Sequence, residues 1–257
     1  MNNSKWLLLS LAMAATTASA GTVVLYDQDF EAPVNFISGS VSGYKDVSQQ
    51  SVNALYGGQQ GLTFAQANTV ETAFLTGQAA FGSGYKNAGI GGNYAIGMLS
   101  NVQNDLLGMS FNFDLGTNDF FNLAIDVSGL GLDGPGGPFT NAISVPEFQF
   151  TLFSGSGGNG LGAGSILGQY NLIGTASPID TLDWTQGLFS FDASGDNDGN
   201  VTLQIDLLSG GYAVMDNILI TSSDTPSVSV PEPSTIALLG LGLLGLGFAR
   251  RKGRSEI

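Results

Sequence analysis

The sequence predicts an all-β fold, a two-sheet β-sandwich or jelly roll, flanked by an N-terminal signal helix and a C-terminal transmembrane helix. The chain has 38 glycines and only 11% charged residues, so runs of helix-forming residues are scarce. Apolar and polar residues alternate with a period of two over several stretches, which is typical of strands with one buried face. No repeat with a period of about 20 to 50 residues is present, which disfavours solenoids and propellers.

The first segment, residues 1–20, has the organisation of a secretory signal peptide. Lys5 precedes an apolar stretch over residues 6–15, and Ala18 and Ala20 form a small-residue cleavage site before Gly21. The apolar stretch is too short to span a bilayer, which disfavours an uncleaved anchor. We therefore expect the Sec machinery to export the chain and signal peptidase to cleave it before Gly21.

The exported core, residues 21–222, is predicted to consist of strands. A β-branched run over residues 22–26 predicts the first strand. Residues 109–115 and 121–127 alternate in polarity, and turn-forming residues separate them, so we predict that they form an antiparallel hairpin. Further alternation predicts strands at residues 148–152, 201–207 and 212–221.

Two glycine-rich stretches interrupt the predicted strands, at residues 131–138 and 155–164. We predict that both are long surface loops, and they are candidates to rim a binding face. Residues 223–230 are polar and contain proline, which is typical of an exposed linker.

The tail, residues 231–254, has three parts in a fixed order. An apolar run, Ile236–Ala249, spans 14 residues, about 21 Å as a helix against a hydrocarbon core of about 30 Å. We expect such a helix to be only weakly anchored in the membrane, and we expect the basic residues after it to keep the C-terminus in the cytoplasm. The motif before the helix is Val230, Pro231, Glu232, Pro233 and Ser234, and the basic end includes Arg250, Arg251 and Lys252.

This order of features resembles the PEP-CTERM sorting tail of exosortase substrates. The resemblance implies that an exosortase, a membrane-embedded cysteine transpeptidase, recognises the tail near the Pro-Glu-Pro motif, removes the helix and the basic end, and releases or transfers the protein. It also implies a bacterium of the Gram-negative type, an inner-membrane intermediate and a final location at the cell surface or outside the cell. Family members often accompany exopolysaccharide and biofilm production. A permanent single-pass anchor is the alternative.

The charge of the exported part limits the classes of molecule that it can bind. Residues 21–229 hold 19 acidic side chains and two lysines, a net charge of −17, so we expect no nucleic-acid partner. Cysteine and histidine are both absent, which removes the usual zinc sites and the Ser-His-Asp and Cys-His nucleophile systems. Divalent cations, calcium above all, are the ions that such a chain attracts.

The two ends of the core resemble jelly-roll carbohydrate-binding modules, through YDQDFEAP at residues 26–33 and YAVMDNILIT at residues 212–221. The resemblance implies a structural calcium ion between the terminal strands, with Glu31 and Asp216 at the ligand positions and Asp29 nearby. The alternative is that these are solvated turn and edge residues. Residues 192–200 hold a second acidic group, which fails the EF-hand pattern and is interpreted as a hairpin turn.

Three functions remain open from the sequence. The first is a non-enzymatic surface or extracellular-matrix protein whose sandwich engages exopolysaccharide. The second is a secreted carboxylate-dependent glycan hydrolase or lyase with a lectin-like fold. The third is a protein-interaction module without sugar affinity. Aromatic side chains beside glycine loops are candidate platforms for sugar rings, namely Tyr44, Tyr56, Tyr85, Tyr94, Tyr170 and Trp184.

Overall fold

The computed structural model describes residues 21–37, 47–48, 50–68, 70–76, 86–87, 90–100, 104–112, 118–130, 145–196 and 199–226. The predicted signal peptide, the sorting motif, the apolar helix and the basic end lie outside these residues. None of the described residues belongs to a helix long and apolar enough to cross a membrane.

Strands account for nearly all of the regular structure. A single five-residue helix, α1 (Val52–Tyr56), is present in the described part of the chain, and the side chain of Ser51 caps its N-terminus. The strands are β1 (Val23–Gln28), β2 (Val47–Ser48), β3 (Leu62–Ala67), β4 (Glu71–Phe74), β5 (Lys86–Asn87), β6 (Tyr94–Leu99), β7 (Leu106–Asn112), β8 (Phe120–Gly129), β9 (Glu147–Phe153), β10 (Ile166–Ile173), β11 (Thr181–Leu182), β12 (Thr185–Asp192), β13 (Asn200–Ser209) and β14 (Tyr212–Ser223).

The strands form two main sheets, which confirms the predicted two-sheet sandwich. The seven-stranded sheet has the order β12-β8-β14-β6-β4-β2, and β1 also pairs with β14. The five-stranded sheet has the order β10-β9-β13-β7-β3, and β11 and β5 form a small parallel pair. The inward residues of both sheets form one large core, to which β13 contributes Val201, Leu203, Ile205 and Leu207.

The hairpin predicted for residues 109–127 is wrong. β7 and β8 lie in different sheets: β7 pairs with β3 and β13, whereas β8 pairs with β12 and β14. The chain therefore crosses the sandwich between them, and the rings of Phe111 and Phe121 meet edge to face with centroids 5.4 Å apart. Both strands bury one face, as the alternation indicated, but alternation does not identify the partner strand.

The first and last strands are neighbours, as the jelly-roll resemblance implied. β1 runs antiparallel to the second half of β14, with Val23 opposite Ser222 and Gln28 opposite Ile218. The last strand continues to Ser223, one residue beyond the predicted end of the core. β14 is bonded to β8 along one edge and to β6 and then β1 along the other, so it is the central strand of its sheet.

The glycine-rich stretch at residues 155–164 is a loop, as predicted, and it folds back onto the five-stranded sheet; we call it the strap. Its only pairing within the described residues is an isolated bridge between Ser156 and Gly162. The strap covers the outer face of β7, because the Leu161 side chain is only 9% exposed and lies against Gly108. The other glycine-rich stretch, residues 131–138, lies outside the described residues.

Candidate functional site

A buried carboxylate on β14 is the first element of the site. Asp216 is fully buried on the outer side of the seven-stranded sheet, and its Oδ1 accepts a hydrogen bond from the backbone N–H of Asn217 at 2.7 Å. Its Oδ2 is also buried and has no hydrogen-bond partner among the residues that the structure describes. The pairing with β8 shifts register between Asp216 and Leu219, and Asn217 has a φ of 50°, so Asp216 precedes a β-bulge.

A second carboxylate, that of Glu31, comes from the segment after β1. Its Oε1 accepts hydrogen bonds from the backbone N–H of Asn93 at 2.6 Å and of Tyr94 at 3.1 Å. Its Oε2 accepts a hydrogen bond from the side-chain amide of Asn93 at 2.8 Å. Glu31 therefore ties the segment after β1 to the start of β6.

Two consecutive glycines bring both carboxylates against one segment. A Cβ atom on Gly91 would lie 2.8 Å from Asp216 Oδ2 and 2.3 Å from the Trp184 ring. A Cβ atom on Gly92 would lie 2.4 Å from Glu31 Oε1. These distances leave no room for a side chain, so the close approach of the segment requires glycine at both positions.

The electrostatics of this pocket disfavour an uncompensated negative charge. The pKa of Asp216 is raised to about 8. Burial is the largest cause and the nearby charges of Glu31, Asp29 and Asp126 add to it, whereas the hydrogen bond from the Asn217 N–H acts in the opposite direction. A carboxylate held in this way gains stability from any cation that reaches its unpaired oxygen. The pocket therefore disfavours the ionised form of Asp216 in the absence of a cation.

A calcium ion fits part of this arrangement. The ligands present are hard oxygens, and Asp216 Oδ2 is an unpaired acceptor of the kind that calcium prefers. The expected third residue, Asp29, is exposed, and its Oδ1 accepts the backbone N–H of Glu31 at 3.1 Å. No group of three or more Asp, Glu, His or Cys side chains suited to a metal occurs in the described part of the chain. Backbone carbonyls and water would have to complete the shell.

The structure adds residues that the sequence did not single out. Asp126 on β8 is buried and accepts a hydrogen bond from the Asn217 side chain at 2.9 Å, next to Asp216. Gly91 and Gly92 form the segment over the two carboxylates. The Gly-Gly pair at residues 91–92, just before a strand, is a visible sequence signal for a close approach of the backbone. The partners of Asp126 depend on strand pairing and have no local signal.

The second acidic group, at residues 192–200, is a connection between the two sheets. Asp192 ends β12 in one sheet and Asn200 begins β13 in the other, so the predicted hairpin is wrong here as well. Asp192 Oδ1 accepts hydrogen bonds from the hydroxyl and from the backbone N–H of Ser194, and these hydrogen bonds lower the pKa of Asp192. Asp196 Oδ2 accepts the N–H of Gly199 at 2.9 Å. These are turn contacts, and they make the segment a structural connection.

The outer face of the five-stranded sheet presents a ladder of polar side chains beside the strap. Asn171 accepts a hydrogen bond from Gln149 at 3.2 Å and donates one to Glu147 at 2.7 Å, and Gln169 donates to Thr151 at 3.0 Å. The strap closes the other half of this face, where the N–H of Gly162 donates to Gln204. The part of the face beyond the strap therefore presents polar side chains, among them the exposed Gln169 and Asn171.

Most of the candidate aromatic platforms serve packing. Tyr56 is buried and donates its hydroxyl to the carbonyl of Phe30, and Tyr94 stacks on Phe74 with centroids 4.9 Å apart. Trp184 packs against the smaller hydrophobic cluster on the outer side of the seven-stranded sheet. Tyr170 is 41% exposed but its ring stacks on Phe189. Tyr44 and Tyr85 lie outside the described residues.

Comparisons with known proteins give one sequence match and several distant structural ones. Residues 229–252 match the PEP-CTERM protein-sorting motif. No curated protein matches the chain. The K3 cleaved adhesin domain of Lys-gingipain from Porphyromonas gingivalis is 12% identical with a TM-score of 0.40, over 77% of this chain and 98% of that one.

Carbohydrate-binding modules are also among the similar structures. The xylan-binding domain from CBM 22 is 11% identical with a TM-score of 0.39, over 80% of this chain and 98% of that one. TmCBM61, solved with beta-1,4-galactotriose, is 6% identical with a TM-score of 0.34, over 63% of this chain and 88% of that one. These similarities concern the general sandwich architecture.

Proposed function

We propose that this chain, which carries the PEP-CTERM sorting motif at residues 229–252, is a surface or extracellular-matrix protein whose sandwich binds exopolysaccharide without catalysis. The motif implies processing by an exosortase and export to the cell surface. The observation that carries the proposal is the position of the motif, which begins six residues after β14 ends at Ser223. A complete sandwich thus precedes a short, removable tail.

The spacing between the sandwich and the motif supports this order of events. Eight residues from Ser223 to Pro231 span at most about 28 Å when fully extended. The sandwich would stay close to the membrane while the apolar helix holds the chain there. Removal of the helix and the basic end would release it or transfer it, and the sandwich itself would not change.

Polysaccharide binding is supported by the surface chemistry. The exported part has a net charge of −17, so phosphate-rich and anionic partners are repelled. The open half of the five-stranded sheet offers amide and carboxylate groups that are already oriented by hydrogen bonds to one another. Such groups can exchange these partners for sugar hydroxyls, as neutral glycans require.

The environment of two carboxylates, those of Asp216 and Glu31, supports a non-enzymatic role. Asp216, whose pKa is raised to about 8, is fully buried and out of reach of a polymer. Glu31 already accepts three hydrogen bonds, so neither residue is placed as a general acid or base. The alternative, a carboxylate-dependent hydrolase or lyase, would need a different pair of acids.

We also propose that a structural calcium ion binds between Asp216 and Glu31. The unpaired Oδ2 of Asp216 and the shared Gly91–Gly92 segment support this assignment. Calcium would neutralise the buried charge and join the last strand to the segment after β1 and to the start of β6. In this role the ion would stabilise the sandwich and would take no part in chemistry.

The sorting proposal is tested in the native host by cell fractionation and intact mass. Parent protein outside the membrane should lack residues 236–257, and a Pro231→Ala/Pro233→Ala double variant should accumulate in the membrane with the tail attached. A Ser227→Ala variant outside the motif is the control and should be processed normally. Mature extracellular protein that retains residues 236–257 would contradict the proposal.

The binding proposal is tested with the purified mature protein and soluble exopolysaccharide from the same cells. We expect retardation of the protein in an affinity gel and no release of reducing sugar or unsaturated products. Turnover of the polymer, abolished by a single Asp or Glu substitution, would favour the hydrolase or lyase. Absence of any glycan binding would favour a protein-interaction module.

A further inference from the structure

A groove crosses the outer face of the seven-stranded sheet, on the side away from the main core. Pairing places Asp27, Leu219, Ala124 and Leu188 in one row across β1, β14, β8 and β12. Their sequence neighbours Leu123, Ile218 and Ile220 point into the core, so the row points outward. The groove has a volume of about 300 Å³. Its apolar lining residues are Val24, Ala124 and Leu219, and its polar lining residues are Asp27, Gln28, Asp29, Gln186 and Asn217.

Two rows of polar side chains border this apolar floor. On one side Asn217 donates to Asp126 at 2.9 Å, and Gln186 hydrogen-bonds to the same carboxylate. On the other side the Asn122 amide lies 3.4 Å from the Thr221 hydroxyl, and Ser190 donates to Asn122 at 2.6 Å. Asn122 and Asp126 are four residues apart on β8, so the two rows are separated by about 13 Å.

The side chains of both rows are held in place before any ligand arrives. Asp126 is 5% exposed and Asn122 is 3% exposed, and each is bonded to a neighbouring strand. Asn217 projects from the bulge next to Asp216, where the backbone is fixed by the hydrogen bond to Asp216 Oδ1. Groups that are already ordered lose little conformational entropy when they bind.

We propose that this groove binds a short stretch of a neutral glycan chain, and this inference rests on the proposed polysaccharide-binding function. The floor of Val24, Ala124 and Leu219 would contact the apolar face of a sugar ring. The side-chain amides of Gln28, Gln186 and Asn217, which also line the groove, would accept and donate hydrogen bonds with the ring hydroxyls. Asp27, Asp29 and Asp126 would exclude acidic sugars and phosphates.

The small side chain of Ala124 is the feature that makes the groove available. It lies between Leu219 and Leu188, and a long side chain at this position would fill the floor between the two polar rows. Ala124 is partly exposed, so a longer side chain can extend into the groove without entering the main core. Ala124→Arg therefore blocks the groove with little cost to folding.

The test uses affinity gels cast with neutral polysaccharides, namely xyloglucan, galactomannan, mixed-linkage β-glucan and dextran, and the purified mature protein. At least one of these should retard the parent, and Ala124→Arg should weaken that binding at least tenfold. Leu188→Arg, at a position that is 40% exposed, is a second variant with less risk to folding and should weaken it as well. Ala54→Arg, at an exposed position of α1, is the matched control and should bind as the parent does.

The outcomes separate the groove from the proposed function. If the groove variants are folded by circular dichroism and bind a glycan as the parent does, the groove assignment is overturned and the proposed function stands. If neither these polymers nor the cells' own exopolysaccharide retard the parent, both are overturned. If only a polylysine peptide binds, and Ala124→Arg abolishes that binding, the groove takes cationic chains and the glycan assignment is overturned.

Discussion

The side-chain amide of Asn217 lies 2.9 Å from Asp126 Oδ2, so the bulge in the last strand is bonded to the neighbouring strand β8. The backbone N–H of the same asparagine donates to Asp216. One residue with a φ of 50° therefore separates a buried carboxylate from the polar border of an open groove.

The proposed calcium ion should raise the thermal stability of the mature protein. At a calcium concentration about 100 times the Kd, binding adds about 2.7 kcal/mol. For a domain of this size, that corresponds to a rise in Tm on the order of 5 to 10 °C, measured by scanning calorimetry with millimolar calcium against chelator. Asp216→Asn should abolish the rise, and Asp192→Asn, in the connection between the sheets, should keep it. If the Tm of the parent protein does not change with calcium, the proposed calcium site is contradicted.

Without calcium, the stability of the protein should fall as the pH rises through the neutral range. The folded state holds a proton on Asp216 up to a pH of about 8, whereas an unfolded aspartate releases it near its ordinary value of 3.8. The contribution of protonated Asp216 to the free energy of unfolding is fully present below about pH 4. It is lost as the pH rises toward 8, at up to about 1.4 kcal/mol per pH unit.

This dependence is measured by urea unfolding at pH 5 and pH 7 in the presence of chelator. The parent should lose on the order of 1 to 3 kcal/mol more than Asp216→Asn between the two pH values. Other acidic groups titrate equally in both proteins, so the difference isolates Asp216. Parallel profiles for the two proteins would show that the carboxyl titrates normally.

Gly92→Ala should destabilise the fold by about 1 to 3 kcal/mol. The added Cβ would lie 2.4 Å from two atoms of the Glu31 carboxyl group, which is held in place by Asn93 and Tyr94. Urea unfolding measures the change, and Gly158→Ala is the matched control, because nothing lies within 4 Å of a Cβ atom there. Equal stabilities for the two variants would mean that the segment at residues 91–92 is free to move away.

The contact between the two sheets through Phe111 and Phe121 should appear as a coupling energy. A double-mutant cycle with leucine at both positions is expected to give about 0.5 to 1.5 kcal/mol, the range of an edge-to-face pair. The pair Phe121 and Phe148, at opposite ends of the sandwich, serves as the control and should be additive. Additivity at Phe111 and Phe121 would contradict the crossing of the chain between the sheets.

Local sequence patterns predicted which faces are buried. The alternation at Val201, Leu203, Ile205 and Leu207 matches the inward face of β13, and the run at residues 22–26 overlaps β1. The partner of each strand was not predictable in the same way. Phe111 and Phe121 carry the same period-two signal whether their strands pair or face each other across the core, because both arrangements bury the same side chains.

The candidate site was predictable only in part for the same reason. Glu31 and Asp216 were identified at the two ends of the core, and the structure brings both against the Gly91–Gly92 segment. Asp29 was grouped with them because it is close in sequence, but Asp29 and Glu31 both lie beyond the end of β1, and Phe30 between them has a φ of 55°, which interrupts the regular alternation of side chains. Asp126 became visible only with the pairing of β8 and β14.

The central position of β14 has a consequence for biogenesis. β1, β6 and β8 all depend on this strand for backbone hydrogen bonds, yet it is the last of the fourteen to be synthesised and translocated. On the proposed export route, the seven-stranded sheet could assemble only once nearly all of its strands had crossed the membrane. The apolar run at residues 236–249 would follow next, so a newly exported molecule would fold while the proposed tail still held it at the membrane.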